Sequence, residues 1–150
     1  RNSDYTLLDF LAHDHIVANY FVRHRINIYN EDWYDFESKG YDFVIANDIF
    51  PDVDQRMELF IEKFLPHCRE MRLVITFYNT PRFYTTKRLD DTEIMTFLSW
   101  DGEITELKLN KYLDRLIGTG TDELFRLHLE RESIFRNGRQ VAYVRLRGDL

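Results

Sequence analysis

The run Tyr41-Asp42-Phe43-Val44-Ile45-Ala46-Asn47-Asp48 decides how the rest of the chain is read. Its apolar middle is continuous rather than alternating, the pattern of a strand buried on both faces of a parallel sheet. The run stops abruptly at Asn47-Asp48, and Pro51 prevents a simple continuation. A parallel strand needs a crossover to reach its neighbour, and the next residues supply one. Asp54 can cap a helix on which Met57, Phe60, Ile61, Phe64 and Leu65 fall at i, i+3, i+4, i+7 and i+8. Pro66 ends that helix. Residues 71–78 are the next strand, and Asn79-Thr80-Pro81 turns the chain after it.

Working outward toward the first residue, Ser38-Lys39-Gly40 breaks the chain before the deciding run. Ahead of it, Ile26-Asn27-Ile28-Tyr29 alternates as a strand, followed by the polar turn Asn30-Glu31-Asp32-Trp33. Ile16, Val17, Tyr20 and Phe21 have helical spacing, with Asp14 as a candidate cap. Tyr5-Thr6-Leu7-Leu8-Asp9-Phe10 opens the chain as a short apolar run with an acid near its end. Working the other way, residues 92–100 fit strand or helix. Asp101-Gly102 is either a hairpin turn or the entry to a helix over 103–117; the apolar face Ile104, Leu107, Tyr112, Leu113, Leu116 and Ile117 favours the helix. Gly118-Thr119-Gly120-Thr121 connects it to a half-buried strand at Phe125, Leu127 and Leu129. Asn137-Gly138 is then a strong hairpin signal joining 133–136 to 139–147.

Repeated strand–helix units imply an α/β fold: a Rossmann-like, mainly parallel sheet in a three-layer αβα arrangement, closed by a C-terminal antiparallel hairpin. The 150 residues are 44% hydrophobic and 31% charged, the balance of one globular domain. A formal charge of -6, from 20 basic and 26 acidic residues, argues against a generic nucleic-acid partner. The lone Cys68 cannot form an intramolecular disulfide, which fits a reducing, cytoplasmic setting. No stretch has the length of a membrane span, and no signal peptide opens the chain.

In an open α/β sheet, ligands sit outside the carboxyl ends of the strands. Three such ends are polar here: Asp9, the turn Glu31-Asp32-Trp33, and Asn47-Asp48. A carboxylate after one strand can accept both hydroxyls of a ribose. One in the next turn can accept from an adenine amino group while an aromatic ring packs on the base. Each acid taken alone also reads as turn chemistry or a helix cap.

In that order of elements and acids, the chain resembles a class I S-adenosylmethionine-dependent methyltransferase after its first βα unit. Leu7-Leu8-Asp9 is similar to the second strand with its ribose-binding acid. Glu31-Asp32-Trp33 is similar to the turn near the adenine. The stretch from Tyr41 to Asp48 resembles the fourth strand, whose end lies beside the methyl group, and Leu65-Pro66-His67 resembles the approach to the fifth. The closing hairpin is similar to strands six and seven. The resemblance implies S-adenosylmethionine as cofactor, held by Asp9, Phe10, Glu31, Asp32, Trp33 and Asn47. It implies methyl transfer to a hydroxyl or amine of a small polar acceptor, sugar-linked or phosphorylated, with Asp48 as the base. Tyr78, Asn79, Arg82 and Lys87, joined by Tyr84 and Arg88, would stand with Asp48 at the substrate mouth, their cations suited to a phosphate or carboxylate. The family's glycine-rich turn after its first strand is missing, since the glycines stand at 40, 102, 118, 120, 138 and 148. The chain is therefore expected to be a fragment whose first βα unit lies upstream of Arg1.

Two other functions stay open. Asp9 would also suit a nicotinamide-dependent oxidoreductase. A non-catalytic α/β module could use the aromatic pair Phe83-Tyr84 for a partner. His13 and His15, two residues apart on a helix, point to different faces and do not suggest a metal pair.

Overall fold

The computed structural model describes residues 5–8, 15–47, 56–87, 94–118, 127, 129, 132–133 and 135–150, with 15–18, 86 and 95 described by backbone alone. The chain divides into two compact units, Arg1–Ser38 and Lys39–Leu150.

In the first unit, β1 (Tyr5–Leu8) and β2 (Ile26–Tyr29) pair in parallel, Tyr5 opposite Ile26 and Leu8 opposite Tyr29. Helix α1 (His15–Arg23) makes the crossover that a parallel pair requires. After β2, Asp32 closes a turn: its carbonyl accepts from the Asp35 and Phe36 amides, and its carboxylate Oδ1 accepts from the Tyr34 amide at 2.9 Å. Phe36, buried, lies edge-on to Tyr29.

The second unit is built on β3 (Tyr41–Asn47), β4 (Cys68–Tyr78) and β7 (Arg139–Arg147), in the order β3-β4-β7. The β3–β4 pair is parallel, with Asn47 opposite Val74; the β4–β7 pair is antiparallel, from Glu70 opposite Arg147 to Tyr78 opposite Arg139. Alternation sorts the side chains. Met71, Leu73, Ile75 and Phe77 of β4, Ala142, Val144 and Leu146 of β7, and Ala46 of β3 are buried on the inner face. Helix α2 (Met57–Phe64) buries Met57, Phe60, Ile61 and Phe64, the stripe expected from the sequence, and Pro66 converts its end into a 3-10 turn over Leu65–His67. Cys68 is fully buried, and burial pushes its thiol up to about 11, so it behaves as a small core residue.

A hairpin follows, β5 (Arg82–Lys87) against β6 (Ile94–Ser99), with Tyr84 stacked on its cross-strand partner Phe97. Helix α3 (Gly102–Leu109) begins at Asp101, whose Oδ1 accepts from the Ile104 amide at 2.9 Å, and runs into a 3-10 segment over Asn110–Arg115. Lys108 and Lys111 of this region both donate to Glu58 of α2, and these two lysines hold its carboxyl below the usual range.

This architecture corrects the expected fold. The described strands form three small sheets, two of them two-stranded, and not one Rossmann-like parallel sheet in three layers. The physical reason lies on the outer face of β3-β4-β7. There Glu70 accepts from Arg145 Nε and Nη2 at 2.8 and 3.0 Å and from Arg72 Nε at 2.8 Å, and Arg72 lies over the Phe43 ring. Phe43, Ile45, Val141 and Tyr143 around this network are each more than half exposed. An ion-paired, solvated face is not one that a second helical layer covers among the described residues.

The terminal hairpin is corrected too. The turn exists, with Gly138 at φ +76° and its amide donating to the Phe135 carbonyl. However, Arg139–Arg147 takes β4 as its strand partner, and among the described residues of 133–136 no strand forms. The region 92–100 resolves as β6, and the helix expected over 103–117 spans Gly102–Leu109 before tightening. The expected strand around Phe125 lies largely outside the described residues. No helix among the described residues is long and apolar enough to cross a membrane.

Candidate functional site

The parallel pair β3–β4 gives the second unit one end at which two strands finish in the same direction. β3 finishes at Asn47, opposite Val74, and β4 runs on to Tyr78. Asn47 is exposed. Its position alternates with Phe43 and Ile45, which places it on the outer face of the sheet. An amide there offers both a donor and an acceptor to a ligand.

Around the end of β4 the contacts are dense. The Tyr78 amide donates to the Trp100 carbonyl at 2.9 Å, and the Tyr78 side chain is buried. The Asn79 amide donates to the Gly138 carbonyl at 3.3 Å, and Asn79 Oδ1 accepts from Gln140 Nε2 at 3.1 Å. Arg82 is set by a different device. Its amide donates to Ser99 Oγ at 3.1 Å, while that hydroxyl donates back to the Arg82 carbonyl at 3.1 Å. Its guanidinium lies 4.9 Å from the Tyr78 ring centre and 5.6 Å from that of Tyr84. Arg139, across the ladder from Tyr78, turns along the sheet, donating to Thr76 Oγ1 at 3.1 Å and lying over Phe135.

The structure therefore brings Tyr78, Asn79 and Arg82 together. It does not bring Lys87 to them. Lys87 is at the far end of β5, five residues from Arg82, which at the usual strand rise of ~3.4 Å per residue is about 17 Å away. Residues 82–87 form a strand, in which Tyr84 and Phe97 supply a cross-strand aromatic pair.

The expected adenosyl residues are divided between the two units. Glu31, Asp32 and Trp33 lie in the first unit and Asn47 in the second. All three residues of that turn are half-buried; Asp32 closes the turn through its carboxylate, and Trp33 sits edge-on to Tyr34. Asp9, Phe10 and Asp48 lie outside the described residues. Among the described residues, no cluster of three or more His, Cys, Asp or Glu is arranged to hold a metal ion.

Three contributors were not read from the sequence: Ser99, Gln140 and Arg139. Ser99 ends an apolar run and looks like ordinary strand punctuation. Gln140 and Arg139 follow a turn signal whose strand has a distant partner. No protein-family model matches the chain, and no curated protein matches it significantly.

Proposed function

We propose that the chain binds S-adenosylmethionine and transfers its methyl group to a hydroxyl or amine of a small polar acceptor. The observation that carries this reading is the parallel β3–β4 pair, ending in Asn47 and in Tyr78-Asn79, with β7 antiparallel on its far side. That is one part of the strand order on which the sequence resemblance rests. The residues at the end of β3 suit part of the cofactor: Asn47 is exposed and makes no side-chain hydrogen bond among the described residues, so its amide is available to the amino-acid moiety. A Cβ at Gly40 would meet the Leu150 side chain at 3.3 Å and one at Gly148 the Cys68 backbone, so these two glycines adjoin the chain's own atoms.

When bound, the cofactor supplies an already activated methyl on sulfonium. The protein's share is to bind, align and exclude water. In this reading Asn47 orients the amino-acid moiety, Asp48, next in the chain, takes the acceptor's proton, and the Tyr78-Asn79-Arg82 cluster positions the acceptor.

Calorimetric titration of the protein with S-adenosylhomocysteine and, separately, with NAD tests it. The expected result is saturable binding of S-adenosylhomocysteine alone, weakened far more by Asn47→Ala or Asp9→Ala than by Asp91→Ala. Binding of NAD alone, or of neither, overturns the proposal. One observation favours a second reading, a binding module: Phe83 on β5 is 74% exposed while its neighbour Tyr84 is packed.

A further inference from the structure

We infer that Arg82 is an oxyanion receptor, taking a carboxylate or phosphate carried by the acceptor; this deepens the methyl-transfer reading and rests on it for the acceptor's role.

Six cations of this acidic chain are spent on carboxylates. Arg72 and Arg145 donate to Glu70, Lys108 and Lys111 to Glu58, Arg115 to Asp149, and Arg69 pairs with Asp42. Arg82 is different. Among the described residues its guanidinium meets no carboxylate; what it meets is two aromatic rings, Tyr78 and Tyr84.

That distinction has a chemical consequence. A carboxylate consumes the in-plane N–H groups of a guanidinium and cancels its charge. A ring carries no formal charge to cancel the cation's, and among the described residues no acceptor takes the Arg82 side-chain N–H groups. Those donors form a fork that matches a carboxylate or phosphate edge.

The fork is also held in place before any ligand arrives. The single hydroxyl of the buried Ser99 fixes the Arg82 backbone at both its N–H and its C=O. Tyr78 is buried and anchored to Trp100 through its amide; Tyr84 is stacked on Phe97 at 5.3 Å. With rings and backbone both fixed, the aromatic surface on which the guanidinium lies is set before a ligand arrives. The residue stands beside Asn79, at the carboxyl end of β4, where the proposed acceptor would sit. Lys87, named with it from the sequence, has none of these supports and takes no part.

The test uses the full chain with phenyl phosphate, benzoate and the neutral analogue benzamide as probes, followed by the Arg82 Nε–Hε resonance and by calorimetry. At least one of the two anions is expected to bind saturably and benzamide not. Arg82→Gln should weaken that binding by about tenfold or more, the loss of a charge-assisted hydrogen bond. Arg82→Lys should fall between, because it keeps the charge and loses the fork. Tyr84→Leu should weaken anion binding while leaving S-adenosylhomocysteine binding unchanged, as a positioning residue requires. Phosphate-only or carboxylate-only binding identifies which anion the acceptor carries. Binding of benzamide equal to that of the anions, no binding by either anion, or undiminished binding in Arg82→Gln overturns the inference. Arg82 is exposed, so its two variants keep the fold. Anion binding without S-adenosylhomocysteine binding retains the receptor and refutes methyl transfer; the converse refutes the receptor alone.

Discussion

Protonating Glu70 should loosen the second unit, and the size of the effect can be worked from its surroundings. Arg145 grips the carboxylate with two nitrogens, at 2.8 and 3.0 Å, and Arg72 adds a third bond at 2.8 Å. These arginines, Arg145 first, push the carboxyl from 4.5 down to about 2 against a smaller opposing effect of burial. A drop of that size corresponds to about 3 kcal/mol at ~1.4 kcal/mol per pH unit. Arg145 and Arg72 are more than a third exposed, at 37% and 36%, so solvent screening brings the working figure to about 1–2 kcal/mol. The sign follows from the depressed value. The stabilisation is complete above pH 4.5, the unperturbed value, and is lost as pH falls from there toward 2.

Glu70→Gln keeps the shape and removes the charge. Urea denaturation should show the variant about 1–2 kcal/mol less stable at pH 7, with most of that gap closed at about pH 2.5 because the wild-type carboxylate is then losing its own advantage. A gap that stays the same at both pH values would show that Glu70 acts through packing and would refute the electrostatic account.

Three further outcomes are expected. Leu73→Ala, at a fully buried position in the central strand, should cost about 2–5 kcal/mol in the same denaturation assay. Asp101→Ala removes the cap that accepts from the Ile104 amide and should cost about 1 kcal/mol, read as a lower urea midpoint with unchanged slope. Gly148→Ala should cost at least about 3 kcal/mol, since overpacking against backbone has no side chain to yield: a Cβ there would lie 1.9 Å from the Cys68 carbonyl oxygen. A Gly148→Ala protein with wild-type stability would mean that the chain end does not pack over Cys68.

What could be read from the sequence was whatever is decided within a few residues. The Met57/Phe60/Ile61/Phe64 stripe specifies α2 because helical neighbours are local, and the same holds for the stop at Pro66. The unbroken apolar run of β3 likewise announced a parallel strand, and it has one in β4. Partner choice was not legible. Asn137-Gly138 specifies a turn, and the turn forms, but the strand after it pairs with β4, more than sixty residues earlier, because β4 offers a ladder as long as β7 itself. The stretch 82–87 was hidden for the same reason: its strand character appears only once Phe97 is set against Tyr84. At the site, Asn47 was legible as a strand end. Asp32 was legible as turn chemistry, and its carboxylate does close its own turn. The fixing of Arg82 was not legible, since it depends on Ser99 seventeen residues away and on two rings whose approach no spacing rule records.

The two faces of the β3-β4-β7 sheet show why strand pattern alone overreached. A continuous apolar run implies burial on both faces only if both are covered, and here the inner face carries the core while Ile45, on the outer one, is 65% exposed. Among the described residues, what stands on that outer face is chemistry supplied by β4 and β7. Glu70 faces Arg147 across the ladder and reaches diagonally to Arg145, whose own cross-strand partner is Arg72, so one carboxylate sits between two guanidiniums, and that of Arg72 lies 4.5 Å from the Phe43 ring centre. The apolar residues of β3 were visible in the sequence. The charges that leave them at the surface sit on strands more than twenty residues downstream, and only the pairing register joins the two.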